Sequence, residues 1–146
     1  MRTSPLLLAA VVGFLGCGAH AAGGTDFPET GVRVTVDTDR GVYAPGDTIF
    51  LDLTVANPTE APVTLRFSSG QRYDFTILDA AGASVWTWSA DKGFIQVLGE
   101  ERIEPGETLT FGETFAGELA PGRYTVRGFV PALDRVLADT TSIEVR

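Results

Sequence analysis

From residue 31 to the C-terminus, apolar and polar side chains alternate almost without interruption. Residues 32–36 and 49–55 carry an apolar side chain at every second position, which is the period of a strand with one buried face. Pro-Gly turn signals at 45–46, 105–106 and 121–122 separate such runs. Short alternating strands between frequent turns are typical of antiparallel sandwiches. The pattern therefore predicts an all-β fold, an antiparallel immunoglobulin-like β-sandwich in a single domain.

The first residues of the chain have the pattern of an export signal. The apolar stretch 5–15 is too short to span a bilayer as a helix and is typical of the core of a signal peptide. It leads into Phe14-Leu15-Gly16-Cys17, which is similar to a bacterial lipobox, where the cysteine thiol is acylated and becomes the new N-terminus. Ala19-His20-Ala21 is a competing small-x-small cleavage site.

These features divide the chain into three parts. We expect a signal peptide with a lipobox at 1–17, a flexible tether at 18–30 and the folded domain at 31–146. Cys17 is the only cysteine, so it has no disulfide partner within the chain and is the expected lipidation site. The protein is therefore expected to be exported, as a membrane-anchored lipoprotein of the cell envelope or, if cleaved near Ala21, as a secreted or periplasmic protein.

Charge and composition exclude several classes of function. The formal net charge is −8 and the basic residues are scattered, so nucleic acid is not an expected partner, and a membrane is expected only through lipid on Cys17. The single histidine, His20, lies at the signal junction. The folded domain therefore has neither His nor Cys for a nucleophilic triad or a zinc site. We expect no enzymatic activity, no catalytic or metal-ligating residue and no cofactor.

Two segments, 69–75 and 85–96, concentrate the distinctive side chains. They contain both tryptophans and the only lysine. If the strands within these segments pair in antiparallel fashion, the loop before the first and the loop after the second lie at the same end of the sandwich, and their aromatic side chains meet across the strands. The candidate partner-binding residues are Ser69, Gly70, Gln71, Arg72, Tyr73, Asp74, Trp86, Trp88, Ser89, Asp91, Lys92, Phe94 and Gln96.

The same segments resemble the BsuPI domain, the family of the Bacillus intracellular proteinase inhibitor. The resemblance rests on Ser-Gly-Gln-Arg-Tyr-Asp-Phe at 69–75, on Val-Trp-x-Trp-Ser at 85–89 and on the turns at 105–107 and 121–124. It covers the chain from about residue 32 to residue 145. The resemblance implies a β-sandwich that inhibits serine proteases, so the expected partner is a protein, with a serine protease as the class that the family suggests.

We accordingly expect an exported proteinase inhibitor that inserts a loop into a serine protease. The candidate loop is 89–93, with 68–72 beside it, and Lys92 or Arg72 is the candidate substrate-like residue. The export signal separates the chain from intracellular proteases.

Two alternatives remain open. One is a non-inhibitory envelope module that binds a protein or a glycan through the same end of the sandwich, and the other is a passive structural domain. The burial of Tyr73, Trp86 and Trp88 bears on the choice, because full burial would make the motif a signature of the fold rather than a binding surface.

Overall fold

The computed structural model describes residues 23–146, so the predictions for the signal peptide, Cys17 and Ala21 lie outside the described residues. Within this range there are eleven β-strands and one 3-10 turn at Trp88–Asp91. The strands are β1 (Thr25–Phe27), β2 (Val32–Thr38), β3 (Val42–Tyr43), β4 (Ile49–Ala56), β5 (Val63–Phe67), β6 (Asp74–Leu78), β7 (Ser84–Thr87), β8 (Gly99–Ile103), β9 (Thr108–Phe115), β10 (Gly122–Pro131) and β11 (Val136–Val145). No helix among these residues is long and apolar enough to cross a membrane.

The strands form two facing sheets and a separate strand pair. One sheet has the order β1-β2-β4-β9, the other has the order β3-β11-β10-β6-β7, and β5 pairs with β8. Every pairing is antiparallel except that of β3 with β11. The predicted all-β antiparallel sandwich in a single domain is confirmed.

The inward-facing residues of the two sheets form the core. The register of β2 with β4 sets Val34 opposite Val55 and Val36 opposite Leu53, and all four side chains are buried. The second sheet packs tightly on this layer at Gly128, where an added Cβ would lie 2.9 Å from side-chain atoms of Leu53 and Val36. A larger residue would force the two sheets apart, so glycine sets their spacing here.

Tyr124, near the start of β10, fixes the turn that precedes it. Its hydroxyl donates a hydrogen bond of 2.7 Å to the carbonyl of Ala120, the arrangement called a tyrosine corner in immunoglobulin-like sandwiches. The two other Pro-Gly turns close through Gly46 and Gly106, whose φ angles of 84° and 75° lie in the left-handed region. Local turn chemistry thus sets where several strands begin.

The structure differs from the sequence prediction in two segments. Residues 25–27, which the sequence assigns to a tether, pair with β2 as strand β1. Residues 94–98, whose apolar composition indicates a further strand, have no strand partner, and pairing with β5 starts only at Gly99. The difference arises because composition indicates which side chains suit a sheet surface, whereas a strand also needs a neighbouring strand for its backbone hydrogen bonds.

Candidate functional site

The two informative segments meet at one end of the sandwich, here called the loop end and defined by residues 68–73 and 88–98. Strands β6 and β7 pair in antiparallel fashion, so the loop before β6 lies beside the chain that follows β7. The backbone N–H of Gly70 donates a hydrogen bond of 2.8 Å to the carbonyl of Ile95. The expected proximity of the two loops is therefore present in the structure.

A buried carboxylate joins the two loops. Asp74 is 4% exposed, and its Oδ1 accepts the backbone N–H of Phe75 at 2.8 Å and that of Ser89 at 3.1 Å. Its Oδ2 accepts Gln71 Nε2 at 3.2 Å and the Ser89 hydroxyl. A buried carboxylate needs such donors to offset its desolvation. Asp74, Gln71 and Ser89 thus brace the loop end from within rather than facing a partner.

The aromatic residues form a stack that crosses from one sheet to the other. Tyr73 lies between Trp88 and Phe111, with ring centroids 4.7 Å away on both sides and interplanar angles of 28° and 22°. Trp86 meets Phe115 edge to face at 5.2 Å. Phe111 and Phe115 belong to β9, the edge strand of the facing sheet. The stack therefore closes the open side of the sandwich between β7 and β9.

The burial of these aromatics is intermediate. Tyr73, Trp86 and Trp88 are each half-buried, so they serve as part of the core and also show an edge to solvent. Phe94 covers Trp88 at a centroid distance of 6.0 Å. The sequence analysis selected four aromatic residues of this cluster, Tyr73, Trp86, Trp88 and Phe94. It did not select Phe111 or Phe115 as members, because their contacts depend on the packing of the two sheets.

Tyr73 is also held by its hydroxyl, which donates to Glu113 Oε1 at 2.5 Å. Burial, together with this hydrogen bond to a carboxylate, raises the pKa of Tyr73 to about 12. The phenol therefore stays protonated and keeps its bond to β9 at all moderately alkaline pH values.

Arg72 fastens the first loop to β8. Its Nε pairs with Glu101 Oε1 at 2.9 Å, its Nη1 donates to the carbonyl of Ser69 at 2.8 Å, and its guanidinium lies 4.5 Å from the ring centroid of Phe67. A Cβ on Gly99 would lie 2.3 Å from Arg72 Nη2, so a larger residue there would displace the guanidinium from this position. Arg72 thus makes its polar contacts within the protein and leaves 24% of its side chain exposed.

Lys92 is held more loosely. Its Nζ pairs with Asp91 at 3.0 Å and lies 4.7 Å from the Trp88 ring centroid. The hydrogen bond from Lys92 lowers the pKa of the Asp91 carboxyl. Because the pair is at the surface, where such contacts contribute little, Lys92 can leave it at small cost.

Beyond the 3-10 turn, the chain exposes apolar side chains. Ile95, Val97 and Leu98 are 72%, 52% and 78% exposed. Leu98 and Leu133 flank a depression of about 470 Å³ beside Phe67. Exposed apolar groups gathered at one place mark an interaction surface. Of residues 94–98, the sequence selected Phe94 and Gln96 and did not select the exposed apolar residues Ile95, Val97 and Leu98.

The described residues show which groups the loop end offers to another molecule. Within residues 23–146, no group of three or more His, Cys, Asp or Glu side chains is placed to hold a metal ion. The buried acid, Asp74, has its oxygens occupied by backbone and side-chain donors. The loop end exposes apolar side chains to other molecules, and hydrogen bonds within it hold the backbone that carries them.

Comparisons with known proteins add a family and a fold. The family model described as BsuPI, intracellular proteinase inhibitor, matches residues 36–134, more than half of the chain, and confirms the resemblance. No curated protein gives a significant match to the chain.

Solved structures share the fold. Spo0M, a sporulation control protein from Bacillus subtilis, superposes with a TM-score of 0.56 at 16% identity, over 80% of this chain and 49% of Spo0M. The C-terminal domain of wzt gives 0.52 at 11% identity, over 80% of this chain and 74% of that domain. The chain spans about half the length of Spo0M, and at these identities the likeness concerns the fold alone.

Proposed function

The chain belongs to the BsuPI family of proteinase inhibitors, and from this premise we propose that it is an exported inhibitor whose loop end blocks the cleft of a serine protease. The segment offered to the protease is 89–98, extended from the sequence-based candidate 89–93 to include the exposed apolar residues. The loop 68–72 supports it from behind.

The observation that carries this proposal is the bracing of an exposed segment. Asp74 holds Ser89 at the start of the segment, and Gly70 holds the carbonyl of Ile95 in its middle. A loop already ordered in the free protein loses less conformational entropy on binding. Small exported inhibitors commonly obtain this order from disulfides, whereas here hydrogen bonds and aromatic packing supply it.

The test is a titration of the purified protein against subtilisin-like, chymotrypsin-like and trypsin-like proteases. We expect inhibition of at least one class at micromolar inhibitor or below, and loss of most of it in Trp88→Ala, which removes the support under Phe94 and Lys92. Phe50→Ala is the matched control, because Phe50 is also an exposed aromatic residue (51%) but lies on β4, away from this segment.

No inhibition of any of the three classes at micromolar excess contradicts the proposal. The adaptor alternative would then be supported if the wild-type protein captures an envelope protein that lacks protease activity and Trp88→Ala does not.

We also propose that Cys17 is acylated and anchors the inhibitor at the cell envelope. The support is the lipobox-like sequence before the only cysteine. The wild-type chain, expressed in a bacterium, should incorporate labelled fatty acid and fractionate with membranes, and Cys17→Ser should lose both properties. An unlabelled wild-type protein with a mature N-terminus just after Ala21 would contradict the anchor and favour secretion.

A further inference from the structure

Within the loop end, the chain that leads into β8 has a backbone that is anchored on both sides and free in between. The carbonyl of Ile95 is bonded to Gly70, and Gly99 pairs with Phe67 at the start of β8. Gln96, Val97 and Leu98 make no backbone hydrogen bond with another described residue. An approaching strand needs free N–H and C=O groups in order to add to a chain, and residues 96–98 supply them.

Within this free stretch, Leu98 presents the largest unsupported apolar side chain. It is 78% exposed, the highest value among the exposed large apolar residues. The peptide bond that follows it is held in place, because Gly99 packs directly under the Arg72 guanidinium and Arg72 is paired with Glu101 on β8. Leu98 therefore projects from a fixed point of the backbone rather than from a loose loop.

We propose that Leu98 is the residue that enters the primary specificity pocket of the target, and that the target is a protease with an apolar pocket. This inference rests on the proposed inhibitory function and names the partner's chemistry. Residues 96–98 pair with the backbone of the protease cleft, and the leucine side chain fills a hydrophobic slot of the kind found in chymotrypsin-like enzymes.

The basic residues fit this role poorly. Arg72 is bound by Glu101, the carbonyl of Ser69 and the Phe67 ring, and Lys92 precedes the free stretch. A trypsin-like pocket carries a carboxylate, but both basic side chains already have a carboxylate partner, Glu101 for Arg72 and Asp91 for Lys92. Entry into that pocket would require one of these ion pairs to break.

The experiment measures inhibition constants of purified wild-type protein and variants against a chymotrypsin-like and a trypsin-like protease. We expect the wild type to inhibit the first enzyme preferentially. Leu98→Ala should weaken this inhibition by roughly 30-fold or more, as for a central anchor residue in an interface. Leu98→Lys should abolish it and create measurable inhibition of the trypsin-like enzyme.

Two further variants make the result specific. Phe50→Ala should change the inhibition constants by less than about threefold, since Phe50 lies on β4 and outside the segment offered to the protease. Lys92→Ala tests the competing candidate residue and should weaken inhibition less than Leu98→Ala does. All four substitutions are at exposed positions, and unchanged circular dichroism spectra and unfolding midpoints will show that each variant is folded.

The outcomes separate the two proposals. If the wild type inhibits neither enzyme nor a subtilisin-like one, the proposed function fails and this inference fails with it. If the wild type inhibits but the Leu98 variants match it, or if Lys92→Ala is the variant that loses inhibition, the choice of Leu98 is wrong while the inhibitory function stands. Inhibition of the trypsin-like enzyme alone overturns the apolar-pocket assignment in the same way.

Discussion

The two ends of the sandwich are held together by different kinds of contact. Away from the loop end, the turn between β6 and β7 closes on itself, since Asp79 Oδ1 accepts the backbone N–H groups of Ala81 and Ala83, both at 2.9 Å. At the loop end, Asp74 and Arg72 bond to residues 15 and 29 positions away in the sequence. A local turn is specified by its own residues, whereas the loop end takes shape only when the whole sandwich has formed.

This difference determines how far the structural effect of a mutation extends. Damage to a local turn stays local, because the flanking strands keep their other partners. Damage to a long-range brace releases two loops at once and exposes the edge of the core between β7 and β9. The predictions below test that difference at positions of similar chemistry.

The largest effect is expected from removing the buried carboxylate. Asp74→Ala should lower the free energy of unfolding by about 3 kcal/mol, because it leaves the buried N–H of Phe75 and the part-buried donors of Ser89 and Gln71 without this acceptor. Asp79→Ala, the matched change at the other end, should cost about 1 kcal/mol, the typical net contribution of a turn hydrogen bond. Urea unfolding followed by circular dichroism measures both, and equal losses would contradict the contrast between the ends.

A second comparison lies within the loop end, between its two basic side chains. Arg72→Ala should lower the free energy of unfolding by about 2 kcal/mol, because the guanidinium packs on Phe67 and Gly99 as well as pairing with Glu101. Lys92→Ala should leave the unfolding midpoint unchanged, since its ion pair with Asp91 is a surface contact. Equal stability of the two variants would show that the contacts of Arg72 do not hold the loop 68–72 on β8.

The smallest effect concerns alkaline pH. The folded-state pKa of Tyr73 is raised from 10 to about 12, so the folded protein keeps a proton that the unfolded chain loses. This contribution to stability is complete below about pH 10 and disappears as the pH rises towards 12. The free energy of unfolding should therefore fall by about 1 kcal/mol more in the wild type than in Tyr73→Phe between pH 9 and pH 11. Parallel pH profiles for the two proteins would exclude this role for the Tyr73–Glu113 bond.

The sheets of this protein could be predicted because their signal is local. The alternation of residues 32–36 and 49–55 already separates the buried face from the exposed one, and the structure buries Val34 and Val55 opposite each other. The Pro-Gly turns could be located from the sequence as well, because these two residues themselves favour a turn. The proximity of the two informative segments could also be predicted, because in an antiparallel pair the start of one strand lies beside the end of its neighbour.

The inner structure of the site could not be predicted in the same way. A polar side chain beside a loop is expected to satisfy loop backbone groups, as Asp74 does, but the sequence does not show that this carboxylate is buried beneath the 3-10 turn after β7. Residues 94–98 have the composition of a strand, but no neighbouring strand pairs with them. Both outcomes depend on which distant segment packs against these residues, and a single sequence does not contain that information.

The placement of the tryptophans gives the protein an optical probe of its own loop end. The chain has two tryptophans, one stacked on Tyr73 beneath Lys92 and the other packed edge-on against Phe115. All the indole fluorescence of the molecule therefore originates within the aromatic stack. If a protease docks there as proposed, it will change the solvent around Trp88, and the emission spectrum will report binding without any attached label.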